Sequence, residues 1–146
     1  MLETVPRKGF TYDLDYIAFH RLVIELFDNP GQYRRFVAAG GVQSGKTLLF
    51  IIIPIMYYLF EQGEDVIKGV PQLNLAHGIW KQKIFPSIKE SKYKKYIPRT
   101  GPGSRGGKDF EVIEFMNGSS LRFMGAGGGD GQRSSHTAQF IFMTEL

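Results

Sequence analysis

The sequence predicts an α/β fold built on a mostly parallel sheet, with a β-hairpin inserted in it. Three observations predict this. Short apolar runs at Phe36 to Ala39, Asp65 to Val70 and Ala138 to Met143 alternate with longer helical stretches, the order that gives parallel strands joined by crossover helices. The first run passes through a glycine-rich turn straight into a long apolar stretch. Two further runs, Phe110 to Phe115 and Leu121 to Met124, meet near Asn117-Gly118, a dipeptide that favours tight hairpins because both residues tolerate positive φ.

Each element has a local cause. Asp13 is placed to cap a helix over Leu14 to Phe27, where Leu14, Ala18, Leu22 and Leu26 recur at helical spacing. Asn29-Pro30-Gly31 stops it. A second helix runs from Lys46 to about Gln62, and Pro54 inside it predicts a kink or a split, at roughly 3 kcal/mol unless packing compensates. Its uncharged stretch from Leu48 to Phe60 is shorter than the about 20 residues a membrane span needs, so it is expected to lie buried on all sides beneath the sheet. Gly63 ends it. Leu73, Ala76, Trp80, Ile84 and Ile88 mark a third, amphipathic helix, with Trp80 as core anchor and the Gln82 and Lys83 side toward water. Pro98 to Lys108 and Gly125 to Gly131 read as loops.

The 146 residues suffice for one domain with a real core. With 42% hydrophobic and 22% charged residues, the composition is that of a globular chain rather than a disordered one. No cysteine is present, which excludes disulfides and cysteine metal sites and fits a reducing cytoplasm. The net charge of +4 is uneven: Lys89 to Asp109 carries a net +5, leaving −1 for the rest. Such a basic segment fits a polyanion partner and, equally, a solvated lysine-rich surface.

Residues Gly40, Gly41, Val42, Gln43, Ser44, Gly45, Lys46 and Thr47 match the phosphate-loop pattern G-x-x-x-x-G-K-[ST] without a mismatch. The glycines let the backbone turn tightly and aim N–H groups at phosphate oxygens. Lys46 reaches the β- and γ-phosphates as a mobile charge, and Thr47 offers a hydroxyl to Mg²⁺. The helix that Lys46 opens turns its N-terminus to the anion.

A second constellation closes the chain. Phe140 to Met143 is an apolar strand running into Thr144 and Glu145. A carboxylate at the C-terminal end of such a strand borders the crevice where ligands bind in open α/β sheets. There it can take a proton from the water that attacks a γ-phosphate, which makes Glu145 the candidate catalytic carboxylate beside Lys46. His20, His77 and His136 show no metal-ligand spacing, and Ser134, Ser135 and His136 form no nucleophile system. Arg105 and Arg133 are candidates for a charge on the phosphoryl transition state or for surface contacts. Tyr33 and Gln32 lie near where an adenine would sit.

Taken in order, these segments resemble the N-terminal ATPase region of the large terminase subunit of tailed bacteriophages, the motor that pumps DNA into capsids. The resemblance is carried by GGVQSGKT at Gly40 to Thr47, VIKGVPQ from Val66, GPGSRGGK at Gly101 to Lys108, FMNGSSLRFMGAGGG from Phe115, and SSHTAQFIFMTE at Ser134 to Glu145. It implies a RecA-like P-loop ATPase using ATP and Mg²⁺. Residues 1–31 would form a helical lead-in and 32–146 a partial nucleotide-binding core. The implied partners are double-stranded DNA, a terminase small subunit and a portal protein, in a homo-oligomeric ring in the host cytoplasm without membrane contact. Lys92, Lys94, Lys95, Arg99, Arg105 and Lys108 are then the candidate DNA contacts.

Two positions depart from the family pattern. Val42 stands where many terminases carry an arginine, and Thr144 stands where the metal-facing Asp is usual. The family's sheet order is 5-1-4-3-2, and the strand that inserts between the P-loop strand and the strand ending at Met143 would follow Glu145. The expectation is therefore a fragment or split-gene product, poorly stable or inactive alone, with no carboxylate cluster for nuclease metals. Competing readings are a helicase or other nucleic-acid translocase, and a non-catalytic nucleotide-binding assembly module.

Overall fold

Helix and strand here follow from which faces the sequence can bury. The computed structural model describes residues 45–104, 111–127 and 140–143, with the single positions 21, 25, 29, 31, 35, 37 and 138. Strands β1 (Val66–Val70), β2 (Val112–Glu114), β3 (Ser120–Gly125) and β4 (Phe140–Met143) form one sheet in the order β2-β3-β1-β4. β1 pairs in parallel with β3 and with β4, while β2 and β3 are antiparallel. The architecture is thus α/β with an open, mostly parallel mixed sheet.

One face of this sheet carries Val66, Val70, Ile113, Leu121 and Phe123 into a single core with the helices. Helix α1 (residues 46–62) supplies Ile51, Ile55, Met56 and Leu59, all but excluded from solvent. Helix α2 (residues 74–89) supplies Ala76, Trp80, Ile84 and Ile88. The expected anchor, Trp80, is 1% exposed, and Gln82 and Lys83 face water as the pattern required.

Pro54 neither splits nor stops α1. The segment Leu48–Ile52 is a wide π turn in which the Ile53 N–H donates to the Leu48 carbonyl, and Pro54 follows directly in the α segment Ile53–Tyr57. The i→i−5 pattern moves the preceding carbonyls off the proline ring and re-partners them, which is how packing absorbs the missing donor. α2 repeats the device: the π turn Trp80–Ile84 ends with the Phe85 N–H on the Trp80 carbonyl, and Pro86 follows.

Gly63 closes α1 at φ +71, and the Glu64 N–H reaches back 2.9 Å to the Tyr58 carbonyl. The hairpin forms where Asn117-Gly118 announced it, with a three-residue connection. The Gly118 N–H donates to Phe115, Phe115 donates to Ser119, and Gly118 takes φ +87, a turn followed by a left-handed residue. Asn117 does a second job, donating from Nδ2 to the Leu59 carbonyl at 2.7 Å and so satisfying an orphan group near the end of α1. Asp65 accepts from the Ser120 N–H and hydroxyl, both at 2.8 Å, and ties the starts of β1 and β3 together.

The lead-in helix is seen at Arg21 and Glu25, both helical, with Asn29 Nδ2 donating to the Glu25 carbonyl at 2.9 Å. The expected buried strand over Phe36 to Ala39 needs a correction at its one described residue: Val37 is 96% exposed and outside any strand. Apolar sequence alone does not make a strand; it takes a neighbouring ladder, and Val37 pairs with none of the four described strands.

The loop after Pro98 is fixed more tightly than its glycines suggested. Gly103 has φ +78, and a Cβ there would overlap Ile113 Cγ2 with Cγ1 at 3.1 Å. Gly101 has φ +76 with open space around it. Gly103→Ala is therefore expected to destabilise the fold by about 2 kcal/mol, from overpacking plus backbone strain. Gly101→Ala should cost about half as much, and paired urea melts measure the difference.

Candidate functional site

α1 descends along the sheet against the direction of the parallel strands. Near its C-terminus the Tyr58 ring stacks on Phe140, at the start of β4, with centroids 3.4 Å apart. Leu59 meets Asn117, just ahead of β3, and β1 begins soon after the helix ends. Lys46 lies twelve residues before Tyr58, roughly 18 Å up the helix axis. The N-terminus of α1 is thus directed to the C-terminal ends of β1, β3 and β4, the end at which open α/β sheets bind ligands.

Gly45 precedes the helix at φ +78, a value that glycine adopts without strain. Lys46 and Thr47 are the first helical residues, both half-buried. Thr47 has helical dihedrals, and its hydroxyl makes no capping bond to the helix backbone. Gly40, Gly41, Val42, Gln43 and Ser44 lie outside the described residues, as do Thr144 and Glu145. β4 is described to Met143.

The sequence reading missed Lys68. It is fully buried in the middle of β1, on the helix-facing side with Val66 and Val70. Its Nζ donates to the Gly69 carbonyl at 2.8 Å and to the Phe142 carbonyl of β4 at 3.5 Å. Taking an ammonium out of water costs several kcal/mol unless it is well paired, and these carbonyls are among the partners that hold it in a face otherwise apolar. The signal was available: a lone lysine interrupts the run Val66-Ile67-Lys68-Gly69-Val70, where a buried parallel strand wants apolar residues. On the opposite face Gly69 leaves room for Met143, whose Cγ would stand 3.1 Å from a Cβ there.

The basic segment resolves into anchored and free parts. Lys92–Tyr96 is a 3-10 helix, capped by Ser91, whose hydroxyl oxygen accepts from the Tyr93 N–H at 3.2 Å. Tyr93 and Tyr96 stack on Phe60 with centroids 5.0 and 5.5 Å away. Lys92 is engaged: its ammonium is 2.6 Å from Glu61, which also accepts from the Tyr93 hydroxyl. The Lys92 bond, then that of Tyr93, holds the Glu61 carboxyl below its ordinary range. Burial, then the Glu61 acceptor, pushes the Tyr93 phenol well above its own. Lys94, Lys95 and Arg99 are exposed, with Lys95 Nζ 5.0 Å from the Tyr96 ring centroid. Arg105 and Lys108 lie outside the described residues.

Among the described residues no group of three or more His, Asp or Glu side chains is arranged to hold a metal ion, and no helix is long and apolar enough to cross a membrane. His77 is exposed. No family model, curated protein or solved structure matches this chain.

Proposed function

We propose that this chain binds and hydrolyses ATP as the nucleotide-binding part of a DNA-packaging motor of the terminase type, in a RecA-like P-loop arrangement. The observation that carries the reading is the intact G-x-x-x-x-G-K-T pattern with Gly45 at positive φ, followed by Lys46 and Thr47 in the first turn of a helix directed to the strand C-termini. The pairing of β4 with β1 supports the finer fold, since these are the third and second strands of the order that the resemblance implies.

In this reading the backbone of Gly40 to Gly45 wraps the phosphates and Lys46 neutralises the β- and γ-oxygens. Glu145 accepts a proton from the attacking water. Thr47 fits a Mg²⁺ ligand because its hydroxyl is not spent on capping the helix; bound there, the metal would neutralise phosphate charge. Lys94, Lys95 and Arg99 present cations for duplex DNA phosphates, joined by Arg105 and Lys108; Lys92 contributes less, being held by Glu61.

Calorimetric titration with Mg·ATP tests the core of this proposal. Saturable binding between about 1 µM and 1 mM, weakened by chelating the metal, is the expected result. Failure to bind at millimolar nucleotide removes the ATPase reading. Filter binding to duplex DNA across a salt series tests the partner, and a flat salt response removes DNA.

A further inference from the structure

Two of the three lysines in the 3-10 helix Lys92–Tyr96 are built alike and engaged differently. Three residues make one turn of such a helix, so side chains at i and i+3 eclipse. Tyr93 and Tyr96 therefore share one side, where both stack on Phe60. Lys92 and Lys95 share the adjoining side, about 6 Å apart along the axis. Each lies over the tyrosine that follows it, with Nζ 5.0 Å from the ring centroid in both cases. The helix thus repeats one Lys–Tyr unit on an aromatic base.

Glu61 breaks the repeat. It comes from the end of α1 and meets Lys92 at 2.6 Å, whereas no described carboxylate pairs with Lys94, Lys95 or Arg99. An exposed ion pair by itself holds loosely, and the Lys92 side chain is still 56% exposed, within reach of a phosphate. The carboxylate has a second hold, however: the Tyr93 hydroxyl donates to the same Oε1 atom. Glu61 therefore stays in place if Lys92 turns away. Counterion release then limits what Lys92 can add. A lysine that neutralises a DNA phosphate frees the cation condensed there. Taking Lys92 from Glu61 leaves a fixed carboxylate that draws a cation back, so the net release is close to nil.

We infer that Glu61 is an internal rival to the DNA phosphates: it withholds Lys92 and so sets the strength and salt sensitivity of the grip made by Lys94, Lys95 and Arg99. This rests on the duplex-DNA reading of the basic segment and adds its regulation.

The test is duplex DNA binding by the full chain across a salt series. Glu61→Gln loses the charge and keeps an oxygen for the Tyr93 hydroxyl. Urea melts overlaid on those of the wild type check its fold, and Glu61→Ala repeats the measurement without that oxygen. Both variants should bind more tightly at low salt. Their slopes of log K on log[salt] should be steeper by about 0.9, so that a fourfold rise in salt costs them about 3.5-fold more affinity than it costs the wild type. In a Lys92→Gln background, Glu61→Gln should steepen the slope no further. Steepening that survives Lys92→Gln would overturn the inference. So would equal steepening by Glu90→Gln, at an exposed carboxylate two residues before Lys92, because either result is the general effect of removing one negative charge. Binding by Glu61→Gln where the wild type shows none would mean that Lys92 is fully masked and would support it. Wild-type binding with an unmoved slope in both Glu61 variants strikes this inference alone. No binding by any of these proteins strikes the DNA reading, and the inference with it.

Discussion

Lys46→Ala is expected to lower ATP turnover by at least about 100-fold, the effect typical of removing one group that stabilises developing charge in a reacting site. The magnitude follows from position. Lys46 is the first helical residue after a glycine at φ +78, half-buried, on a helix whose N-terminus already favours anions. A cation there acts on phosphate oxygens with solvent partly excluded, where its field is far stronger than in water. Lys46→Arg should rescue little, since a planar fork does not replace a compact ammonium inside a narrow loop. The fold should not suffer, because the fully buried residues described in α1 run from Ile51 onward and do not include Lys46. Urea melts of Lys46→Ala should therefore overlay those of the wild-type chain. Turnover within threefold of wild type, with the melt unchanged, would dissociate Lys46 from the chemistry.

The sequence made some features legible because a single local cause decides them. Gly63 and Gly118 both take positive φ where a helix must end and a hairpin must close. Ala76, Trp80, Ile84 and Ile88 recur at helical spacing and line one buried face. Other features depend on partners that no window of sequence contains. Pro54 promised a break, and only the wide turn before it, packed under the sheet, carries the helix through. Val37 sat in an apolar run, but strand formation needs a neighbour as well as a composition. Lys92 looked equivalent to Lys94 and Lys95 in a run of like charges, until the fold brought Glu61 against it from the end of another helix. Lys68 was the costliest miss. In sequence its only signal is a lone lysine inside an apolar run, and the acceptor that β4 adds, Phe142, stands more than seventy residues later. The candidate site follows the same division. Its phosphate loop was legible as a motif, whereas the buried lysine between β1 and β4 was not.

Trp80→Ala is expected to cost about 3–5 kcal/mol, the usual range for truncating a large buried aromatic side chain. Trp80 is 1% exposed and sits in the π turn at the centre of α2, with Phe85 and Phe115 rings at 5.7 and 6.2 Å. It thereby joins the helix to the residue at the end of β2 that also meets Phe60 of α1, edge to face at 5.0 Å. Removing the indole opens a cavity where three elements meet, and the two prolines in the surrounding helices limit how far the backbone can collapse into it. Against a total stability of about 5–15 kcal/mol for a domain of this size, such a loss removes a large share of the margin. Trp80→Phe keeps an aromatic ring in the same space and should cost about half as much or less. Because Trp80 is the sole tryptophan, its fluorescence follows unfolding of the wild-type chain, while far-UV circular dichroism must follow both variants. A midpoint for Trp80→Ala close to that of the wild type would mean that the helix–sheet junction is held elsewhere, with the aromatic cluster around Phe60, Tyr93 and Tyr96 as the remaining anchor.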